Sequence, residues 1–459
     1  MTHLAHDYAE QHIDRFLEDL KHLIRIPSIS TQPKHAADVR RAAEWIGSEM
    51  EKIGFETVEL IDMPEGRHPL VFGTWMGAGE DAPTVLIYCH YDVQPAELED
   101  GWDSNPFEPT IRDNILYARG ATDSKVNVIT QLRAIESVLS TPEKSPVNIK
   151  FILEGEEESG SETINAFVAK HRDRLAADVS VVSDGPIITP HQPSMVIGLR
   201  GIIGMELHVE GPIQDLHSGH FGGNTHNPVQ ALTEILAQLH DENGTVTVPS
   251  FYDNVIDATP AEREAIAGAD AYYEANWKST SGAPAVWGEA GYTIQERAGI
   301  RPTLEMNGIW GGYSGPGVKT VLPAKAGAKI TCRLVPGQDP ARIYEVIKAH
   351  VMDLAPDTIK VSMEMQDMGA PAIRIPHDSK AVRVANKAYE NHWDRESVLE
   401  VAGGSIPIAS TFATVTDEIV IMGYSHKGGL AHGPNENTHL VMFDKGIGTA
   451  IDFLLMYAE

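Results

Sequence analysis

Four largely apolar runs, in which polar residues do not alternate with apolar ones, stand out in the hydrophobic pattern of the chain. They are residues 85–89, 148–153, 179–182 and 419–421. Continuous apolar runs of this length, rich in β-branched residues, are typical of parallel strands that are buried on both faces. We therefore predict that these four segments are buried strands of a parallel sheet.

Apolar residues at helical spacing predict helices between the strands. The predicted helices are residues 8–24, 36–53 and 127–139, and two further strands are predicted near Val58 and Val71. Pro27 follows the first helix and Gly54 closes the second, as expected at helix ends. Strands and helices alternate in this way up to about residue 197. This order predicts an α/β domain built on a doubly wound, mostly parallel sheet.

Beyond the glycines of 198–201 the pattern changes, and strands show partial alternation of apolar and polar residues. Strands are predicted at 203–209, 328–335 and 359–365, and helices at 228–240 and 340–354. This order predicts a smaller α+β domain, residues 199–378, inserted into a discontinuous first domain of residues 1–198 and 379–459. The returning segment supplies helices at 381–392 and 444–457, whereas residues 245–310 follow neither pattern.

The composition is that of a globular protein and argues against polyanionic partners. The chain has 459 residues, 42% hydrophobic and 22% charged, and its length favours two domains. Its 36 basic and 65 acidic residues leave a formal charge of −29, which argues against nucleic acid or an anionic membrane as partner. The chain shows no signal-like opening and no apolar run near about 18 residues, so we expect a cytoplasmic protein. Cys89 and Cys332 fall in predicted strands, which argues against a structural disulfide.

Each of the four apolar runs is followed by a histidine or a carboxylate. In open α/β sheets, ligands bind at the carboxyl ends of the strands, so side chains in these positions converge on one crevice. Imidazole nitrogen and carboxylate oxygen are the ligands of zinc-class ions, and two such ions about 3.5–4 Å apart need a bridging ligand. The sequence therefore predicts a two-metal hydrolase, with the candidate ligands His90, Asp123, Glu158, Asp184 and His432.

Each candidate also has a purely structural explanation. Asp184 stands before Gly-Pro and could form a turn, Asp123 stands before a predicted helix and could cap it, and the glutamates of 154–158 could form a solvated loop. A single histidine is more often a core or surface residue than a ligand. Capping, turn formation and solvation do not require placement at strand ends, however, so the joint position of these residues favours a metal site.

Ordered sequence blocks span nearly the whole chain and resemble a known family. The blocks are His90-Tyr91-Asp92-Val93-Gln94-Pro95, Arg119-Gly120-Ala121-Thr122-Asp123-Ser124-Lys125, Glu154-Gly155-Glu156-Glu157-Glu158-Ser159-Gly160-Ser161, Asp215-Leu216-His217-Ser218-Gly219, Thr320-Val321-Leu322-Pro323-Ala324-Lys325, Arg333-Leu334-Val335-Pro336, Gly403-Gly404-Ser405-Ile406-Pro407 and His432-Gly433-Pro434-Asn435-Glu436. They resemble the di-zinc metallopeptidase family of aminoacylases, carboxypeptidase G and carnosinase-type dipeptidases. The blocks are most similar to the carnosinase-like dipeptidase branch.

The resemblance implies a metal-binding role for each candidate ligand. One ion would be held by His90 and Asp184 and the other by Glu158 and His432, with Asp123 bridging them. The two ions would be zinc, with manganese and cobalt as alternatives. One block departs from the family pattern, because this chain has Asp-Ser-Lys-Val from Asp123 onward where the family usually has Asp-Asp-Lys-Gly. The bridging carboxylate is retained, but the turn beside it differs, which leaves the metal preference open.

The resemblance also implies how the reaction would proceed. A metal-bridged water would attack the amide bond, with Glu157 as the general base that passes the proton to the leaving amine. Asp92 would orient the ring of His90. The choice of Glu157 within the glutamates of 154–158 rests on the resemblance, because their spacing does not distinguish them.

Further residues would recognise the substrate. The resemblance implies that His217, supplied by the lid and dimerisation domain of a neighbouring subunit, stabilises the oxyanion, which in turn implies a homodimer. Arg333 would bind the substrate carboxylate, and Ser405 and Thr320 would make further substrate contacts. On its residues alone, Arg333 is equally explained by a salt bridge on a strand face, and the glycines before Ser405 explain its turn.

The sequence thus predicts a two-metal hydrolase that cleaves dipeptides or short peptides with a free carboxyl end. An N-acyl amino-acid deacylase would use the same metals and base. A non-catalytic metal-binding homologue would need no general base, so Glu157 argues against it. A metallophosphatase would need more Lys or Arg beside the metals than these loops contain. The physiological substrate and the native metal stay open.

Overall fold

A computed structural model describes residues 4–404 and 406–459 of the chain. The chain divides into two compact units. Unit 1 comprises Met1–Ile197, Ile375–Leu399 and Ile408–Glu459, and unit 2 comprises Gly198–Arg374 and Glu400–Pro407. The sequence pattern places all of 379–459 in the first domain, whereas the short segment from Glu400 to Pro407 is grouped with unit 2.

Helices and strands alternate along much of the chain. The helices are α1 (Leu4–Ile24), α2 (Ala36–Ile53), α3 (Lys125–Leu139), α4 (Glu162–Lys170), α5 (Arg172–Leu175), α6 (Ser218–Phe221), α7 (Pro228–Leu236), α8 (Pro260–Ile266), α9 (Asp270–Thr280), α10 (Ile294–Gly299), α11 (Pro340–Leu354), α12 (Lys380–Trp393), α13 (Pro407–Phe412) and α14 (Leu440–Met456). The strands are β1 (Thr57–Ile61), β2 (Leu70–Trp75), β3 (Thr84–His90), β4 (Thr110–Arg112), β5 (Ile115–Tyr117), β6 (Asn148–Glu154), β7 (Ala177–Val182), β8 (Pro186–Ile187), β9 (Ser194–Leu199), β10 (Gly201–Glu210), β11 (Leu216–His217), β12 (Thr303–Gly311), β13 (Val321–Leu322), β14 (Lys325–Leu334), β15 (Lys360–Ala370), β16 (Ile373–Arg374), β17 (Val398–Ala402), β18 (Thr416–Ile421), β19 (Ser425–His426) and β20 (Asn437–His439).

Seven strands of unit 1 pair in the order β1-β2-β6-β3-β7-β18-β9. The four central ones, β6, β3, β7 and β18, run parallel to one another, and β1, β2 and β9 pair antiparallel at the two sides. The four apolar runs of the sequence are these four central strands. The residues of the four runs are all buried except the half-buried Lys150, as strands covered on both faces require. The predicted α/β class is therefore confirmed.

Helices of unit 1 cover this sheet and hold its strands in place. The helices α2, α3 and α12 contact β2, β3 and β18, respectively, and α3 also packs against α1 and α14. The helix α2 ends at Ile53 as predicted, because Gly54 adopts a φ of 98°, which glycine reaches without steric cost. The helix α3 begins at Lys125, two residues before the predicted start, so it follows Asp123 almost directly.

Unit 2 is built on an antiparallel sheet with the strand order β12-β14-β10-β15. Buried and half-buried residues alternate strictly along β10, and α7 and α11 contact this sheet, so one of its faces forms the core of the unit. The predicted helix at 228–240 ends earlier, at Leu236. Residues 245–310, which follow no pattern in the sequence, form the short helices α8, α9 and α10 and part of β12.

Two further findings concern membrane-spanning helices and the two cysteines. Among the described residues, we find no helix that is both long enough and apolar enough to cross a membrane. Cys89 and Cys332 are both buried and unpaired with each other, as the sequence predicted. Burial raises the pKa of both thiols, which makes them poor nucleophiles.

Candidate metal centre

The candidate site is built from the loops that follow the parallel strands of unit 1. His90 is the last residue of β3 and pairs in register with Glu154, the last residue of β6. A single helical turn, Glu157–Ser159, follows β6, and Asp184 lies just beyond the end of β7. Because these strands are parallel neighbours, their carboxyl ends lie along one edge of the sheet and bring these side chains together.

Asp123 joins two clusters of potential ligands. Its Oδ1 lies 3.0 Å from Nε2 of His90, and its Oδ2 lies 3.1 Å from Nε2 of His432. Asp184 completes the first cluster, with Oδ1 3.8 Å from Nε2 of His90, and Glu158 completes the second, with Oε2 3.2 Å from Nε2 of His432. Within each cluster the ligand atoms lie within 4.8 Å of one another. The structure thus brings all five predicted ligands together as two groups that share one carboxylate.

His432 reaches the site from a longer loop between β19 and β20. Its backbone adopts a φ of 62°, a left-handed conformation that costs a non-glycine residue about 1–3 kcal/mol and persists only where the surrounding structure holds it. The side chain of His432 is 55% exposed, whereas that of His90 is fully buried. The site is therefore closed on the side of the sheet and open to solvent on the side of His432.

The donor set suits divalent cations of the zinc class. Two imidazoles and three carboxylates form the two clusters, and each cluster offers nitrogen and oxygen ligands. Glu158 Oε1 is buried and has no hydrogen-bond partner among the described residues, although its other oxygen is bonded. A buried carboxylate oxygen in this position needs a partner, and a bound cation would provide one. The residues present therefore fit a metal centre.

The pKa values at the site reflect its concentrated negative charge. Burial raises the pKa of Glu157 to about 9 and that of Asp184 to about 6. Nearby carboxylates also raise both pKa values, whereas the positive charge of His90 lowers them. Hydrogen bonds to Asp123 and Glu158 raise the pKa of His432 to about 10. The site thus retains protons when metal is removed. Since metal ligands must be deprotonated, metal binding would release the proton of His432.

Asp92 connects the loops after β3 and β6. Its Oδ1 lies 3.3 Å from Nδ1 of His90, the ring nitrogen that faces away from Asp123. The same carboxylate accepts hydrogen bonds from the backbone N–H groups of Glu157, at 3.2 Å, and Glu158, at 3.1 Å. One side chain therefore orients the imidazole of His90 and also fixes the turn that carries Glu157 and Glu158.

The glutamates after β6 are not a solvated loop. Glu154 is fully buried and accepts hydrogen bonds from the hydroxyl of Tyr88, at 2.6 Å, and from that of Ser161, at 2.9 Å. Glu156 is also buried and accepts the backbone N–H of His68, at 2.9 Å. These two side chains hold the local structure, whereas Glu158 contacts His432 and Glu157 interacts electrostatically with His90 and Asp184. The solvated-loop explanation is therefore wrong.

The helix-capping explanation of Asp123 is not supported either. The residue at the N-cap of α3 is Ser124, and its side chain makes no capping hydrogen bond. The carboxylate of Asp123 is instead bonded to two histidines. Those bonds lower the pKa of Asp123, although its burial acts in the opposite direction.

Three residues that the sequence analysis did not single out also shape the site. Glu436 is fully buried, forms an ion pair with Arg119, and accepts the backbone N–H of Asp123 at 2.8 Å. Arg119 also donates to the backbone oxygen of His432, at 3.2 Å, so this pair ties together the loops of Asp123 and His432. Gln94 donates to Oε2 of Glu158 at 2.7 Å. All three lie in the sequence blocks that carry the family resemblance, and this position is the signal by which they could have been identified.

The remaining predicted residues lie in unit 2. His217 is exposed at the end of β11, which pairs with β13. The backbone N–H of Ser218 donates to the backbone oxygen of the exposed Thr320. The two predicted residues, His217 and Thr320, therefore share one small ribbon. Arg333 is half-buried on β14 and lines a cavity of about 450 Å³ together with Arg200 and Trp287. Ser405 lies outside the described residues.

Comparisons with known proteins match nearly the whole chain. The family model described as Peptidase family M20/M25/M40 matches residues 86–456. The Cys-Gly metallodipeptidase dug1 of Schizosaccharomyces pombe is 34% identical over 454 residues, which cover 95% of this chain and 94% of that protein. The Beta-Ala-His dipeptidase of Homo sapiens is 30% identical over 472 residues, which cover 98% of this chain and 92% of that protein.

A solved structure gives the same result for the fold. The M20 family metallo-carboxypeptidase Sso-CP2 from Sulfolobus solfataricus is similar to this chain with a TM-score of 0.81 at 29% identity, and the match covers 96% of this chain and 99% of that one. Similarity in sequence and fold therefore extends over nearly the whole chain and confirms the predicted resemblance. The chain belongs to peptidase family M20/M25/M40 and is a metal-dependent hydrolase of the metallopeptidase class.

Proposed function

We propose that this protein is a two-metal dipeptidase. The observation that carries the proposal is the position of Asp123, whose two carboxylate oxygens face the histidines of two separate ligand clusters. A single catalytic zinc needs only three protein ligands, whereas five converge here. The names of the relatives, a Cys-Gly metallodipeptidase and a Beta-Ala-His dipeptidase, favour dipeptides as the substrate class.

The metal ligands would divide between the two clusters. His90 and Asp184 would hold one ion, Glu158 and His432 the other, and Asp123 would bridge them. We propose zinc as the ion, with manganese and cobalt as alternatives. When bound, the ions would lower the pKa of water and polarise the substrate carbonyl.

Glu157 would move the proton in the reaction. It stands next to the ligand Glu158 in a turn fixed by Asp92, and its own side chain makes no hydrogen bond among those found at the described residues. A carboxylate in this position can accept a proton from the attacking water and deliver it to the amine nitrogen that leaves. A binding protein without catalysis would have no use for such a base, so this feature supports an enzyme.

Arg333 would recognise the free carboxyl end of the substrate. Its guanidinium lines a cavity in unit 2 beside Arg200, and burial, together with the charge of Arg333, lowers the pKa of Arg200 to about 10. Two neighbouring guanidinium groups suit a carboxylate, which a planar fork can bind through two hydrogen bonds. Thr320 and Ser405 would make further substrate contacts, as the family resemblance implies.

His217 would act across a homodimer. Its Nδ1 accepts the backbone N–H of Gly219 at 3.0 Å, which leaves Nε2 to donate a hydrogen bond to a developing oxyanion. Large exposed apolar side chains are frequent in unit 2, and such side chains often mark a protein interface. They are Ile213, Phe221, Ile256, Val286, Trp287, Ile309, Trp310, Tyr313 and Val318.

A substrate panel tests the reaction class. The zinc-loaded and manganese-loaded enzyme would be given dipeptides, the same dipeptides as carboxyl-terminal amides, and N-acetyl amino acids. We expect free dipeptides to be cleaved fastest, and the amides to lose most of the rate because Arg333 has no carboxylate to bind. The variant Arg333→Gln should cleave free and amidated dipeptides at similar, low rates. Faster cleavage of N-acetyl amino acids would instead identify a deacylase, and no cleavage at full metal loading would identify a binding protein.

A mixing experiment tests the cross-subunit role of His217. The variants His217→Ala and Glu157→Gln should each be nearly inactive. In a mixed dimer, one active site would have an intact Glu157 and receive an intact His217 from the partner. Random exchange makes about half of the dimers mixed, so roughly a quarter of the wild-type activity should return. No recovery, with exchange confirmed by mass, would contradict the dimeric site. His226→Ala, which removes another histidine of unit 2, serves as the control and should stay active.

A further inference from the structure

A second group of metal-type side chains meets in unit 1 and shares no residue with the centre around Asp123. It consists of His6 from α1, His392 from α12 and Asp452 from α14. His6 Nε2 lies 2.7 Å from Oδ1 of Asp452, and His392 Nε2 lies 3.1 Å from Oδ2. Each oxygen of one carboxylate therefore faces one imidazole nitrogen, as each oxygen of Asp123 does in the other centre.

The spacing of these atoms is close to that of a metal site. Ligand atoms of a tetrahedral zinc lie about 3.3 Å apart, because Zn–N and Zn–O bonds are about 2.0–2.1 Å long. The three ligand atoms, one from each residue, lie within 4.8 Å of one another, so small adjustments of the side chains would give this geometry. At the centre around Asp123, the corresponding distances from the carboxylate oxygens to the imidazole nitrogens are 3.0 and 3.1 Å. The protein belongs to a metallopeptidase family.

Neighbouring residues hold these side chains in place. Asn391 donates to Oδ2 of Asp452 at 2.8 Å, which orients the carboxylate. Gly448 of α14 makes room for the ring of His392, because a Cβ at this position would lie 2.4 Å from Cε1 of that ring. The side chains of His6, His392 and Asp452 are only 19%, 22% and 14% exposed, so the group is partly shielded from water.

A cavity beside the group leaves space for further ligands. It has a volume of about 250 Å³ and is lined by His6, His392, Glu10 and Asp444, among others. This volume accommodates several water molecules, and structural zinc sites usually have four ligands. The carboxylates of Glu10 and Asp444 add negative charge, which favours a cation at this place.

We propose that His6, His392 and Asp452 bind a divalent ion of the zinc class, in addition to any ion held around Asp123. The ion would join α1 to α12 and α14. His6 and Asp452 are 446 residues apart in sequence, so this single link closes almost the whole chain into a loop. Links that close long loops remove the most entropy from the unfolded chain, which gives the ion a stabilising role.

Zinc content tests this site directly. The full-length protein would be equilibrated with zinc by dialysis, and bound zinc would be measured by elemental analysis. We expect His392→Gln and Asp452→Asn each to bind one zinc fewer per chain than the wild type, while peptide hydrolysis at saturating zinc stays the same. His12→Gln is the control. It removes another histidine of α1, the helix that carries His6, and the Nδ1 of His12 is bonded to the backbone oxygen of Tyr8. This control should bind as much zinc as the wild type.

A variant that removes no ligand provides an independent measurement. In Gly448→Ala the new Cβ would displace the ring of His392. The higher helix propensity of alanine, worth up to about 1 kcal/mol, offsets the displacement of the ring, so the Tm of the zinc-free variant should stay close to that of the zinc-free wild type. The rise in Tm on adding zinc should nevertheless be smaller than in the wild type, by about 2–4 °C. A nearly unchanged zinc-free Tm together with a smaller rise on adding zinc separates loss of the ion from damage to the helix.

Two results would overturn the proposal. Equal zinc content and an equal zinc-dependent rise in Tm, in the wild type and in all three variants, would show that the group is held by hydrogen bonds alone. Loss of activity together with zinc in the folded variants would show that the group is not a separate site. Failure of the centre around Asp123 to bind two ions would change the total zinc but not the difference between wild type and variants, so the two proposals are tested separately.

Discussion

Replacement of Glu436 by glutamine is the sharpest test of how the candidate centre is held together. Glu436 is fully buried, and its Oε2 lies 2.5 Å from Nη1 of Arg119. Its carboxylate also accepts the backbone N–H groups of Gly120, Thr122 and Asp123, at 3.1, 2.7 and 2.8 Å. The loop that carries Asp123 therefore depends on one acidic side chain.

The size of the effect follows from these contacts. Glutamine keeps the shape of the side chain but replaces one acceptor oxygen by an amide group, which cannot accept the hydrogen bond from Arg119. Removing one partner of a buried ion pair costs about 3–5 kcal/mol, because the other charge stays buried without compensation. Loss of a group that supports a metal ligand typically lowers metal affinity about 10–100-fold. We therefore expect Glu436→Gln to unfold at a lower denaturant concentration and to bind zinc about 10–100-fold more weakly.

Zinc affinity would be measured by competition with a chelating indicator, and stability by urea unfolding of the metal-free protein. Glu418→Gln is a matched control, because the carboxylate of Glu418 also accepts two backbone N–H groups, those of Lys380 and Ala381, both at 2.9 Å. This control should lose some stability and no zinc affinity. Wild-type zinc affinity in Glu436→Gln would refute the view that this side chain positions Asp123.

The remaining predictions concern the metals and the glutamate turn. Removal of metal by a chelator should abolish hydrolysis. Readdition of zinc should restore hydrolysis when about two ions per chain have bound around Asp123. One bound ion per chain at full activity would contradict the two-metal proposal. Glu157→Gln should keep metal and lose about 10²–10⁴-fold or more in turnover, whereas Glu158→Gln should lose metal; an exchange of these results would reverse the two roles. Gln94→Ala should weaken zinc binding by about tenfold, because Glu158 loses the hydrogen bond that orients it; an unchanged affinity would mean that the turn alone fixes Glu158.

The hydrophobic pattern predicted the part of the fold that carries the centre. Each of the four apolar runs forms one of four adjacent parallel strands, and the residues that follow them meet at one edge. Buried parallel strands have a strong signal, since both faces must be apolar. His90, Glu158 and Asp184 could be chosen for the same reason, because they stand at or just beyond the ends of these strands, where the fold requires neither a histidine nor a carboxylate. Asp123 stands before α3 and His432 lies in the loop between β19 and β20, so strand ends indicate these two less directly.

Residues 245–310 lacked a comparable pattern. The helix α9 has no buried residue among those described, so its apolar positions give no periodic stripe. Two local signals were nevertheless present. Thr259 with Glu262, and Thr293 with Glu296, form capping boxes at the starts of α8 and α10, and this spacing is recognisable in a sequence.

The support of the centre was harder to predict than its ligands. Glu436 and the loop it holds are more than 300 residues apart, and no local pattern indicates that they are in contact. The roles of Glu154 and Glu156 likewise depend on partners from other elements, such as Tyr88 and His68. The roles of His217 and Arg333, the homodimer and the cytoplasmic location stay predictions.

The unusual sequence after Asp123 begins with Ser124 and Lys125, which lie at the start of α3 and bond within the fold. Ser124 is fully buried, and its hydroxyl oxygen accepts a hydrogen bond from Nδ2 of Asn127 at 3.0 Å. Lys125 is also buried, and its ammonium donates to two backbone carbonyl oxygens near the end of α1. Both side chains are thus bonded within the surrounding fold, whereas the carboxylate of Asp123 alone is bonded to the two histidines. A second aspartate at position 124 would add a buried negative charge beside a site already rich in carboxylates, at a considerable desolvation cost. The contacts of Asp123 with His90 and His432 therefore do not require an aspartate at the position that follows it.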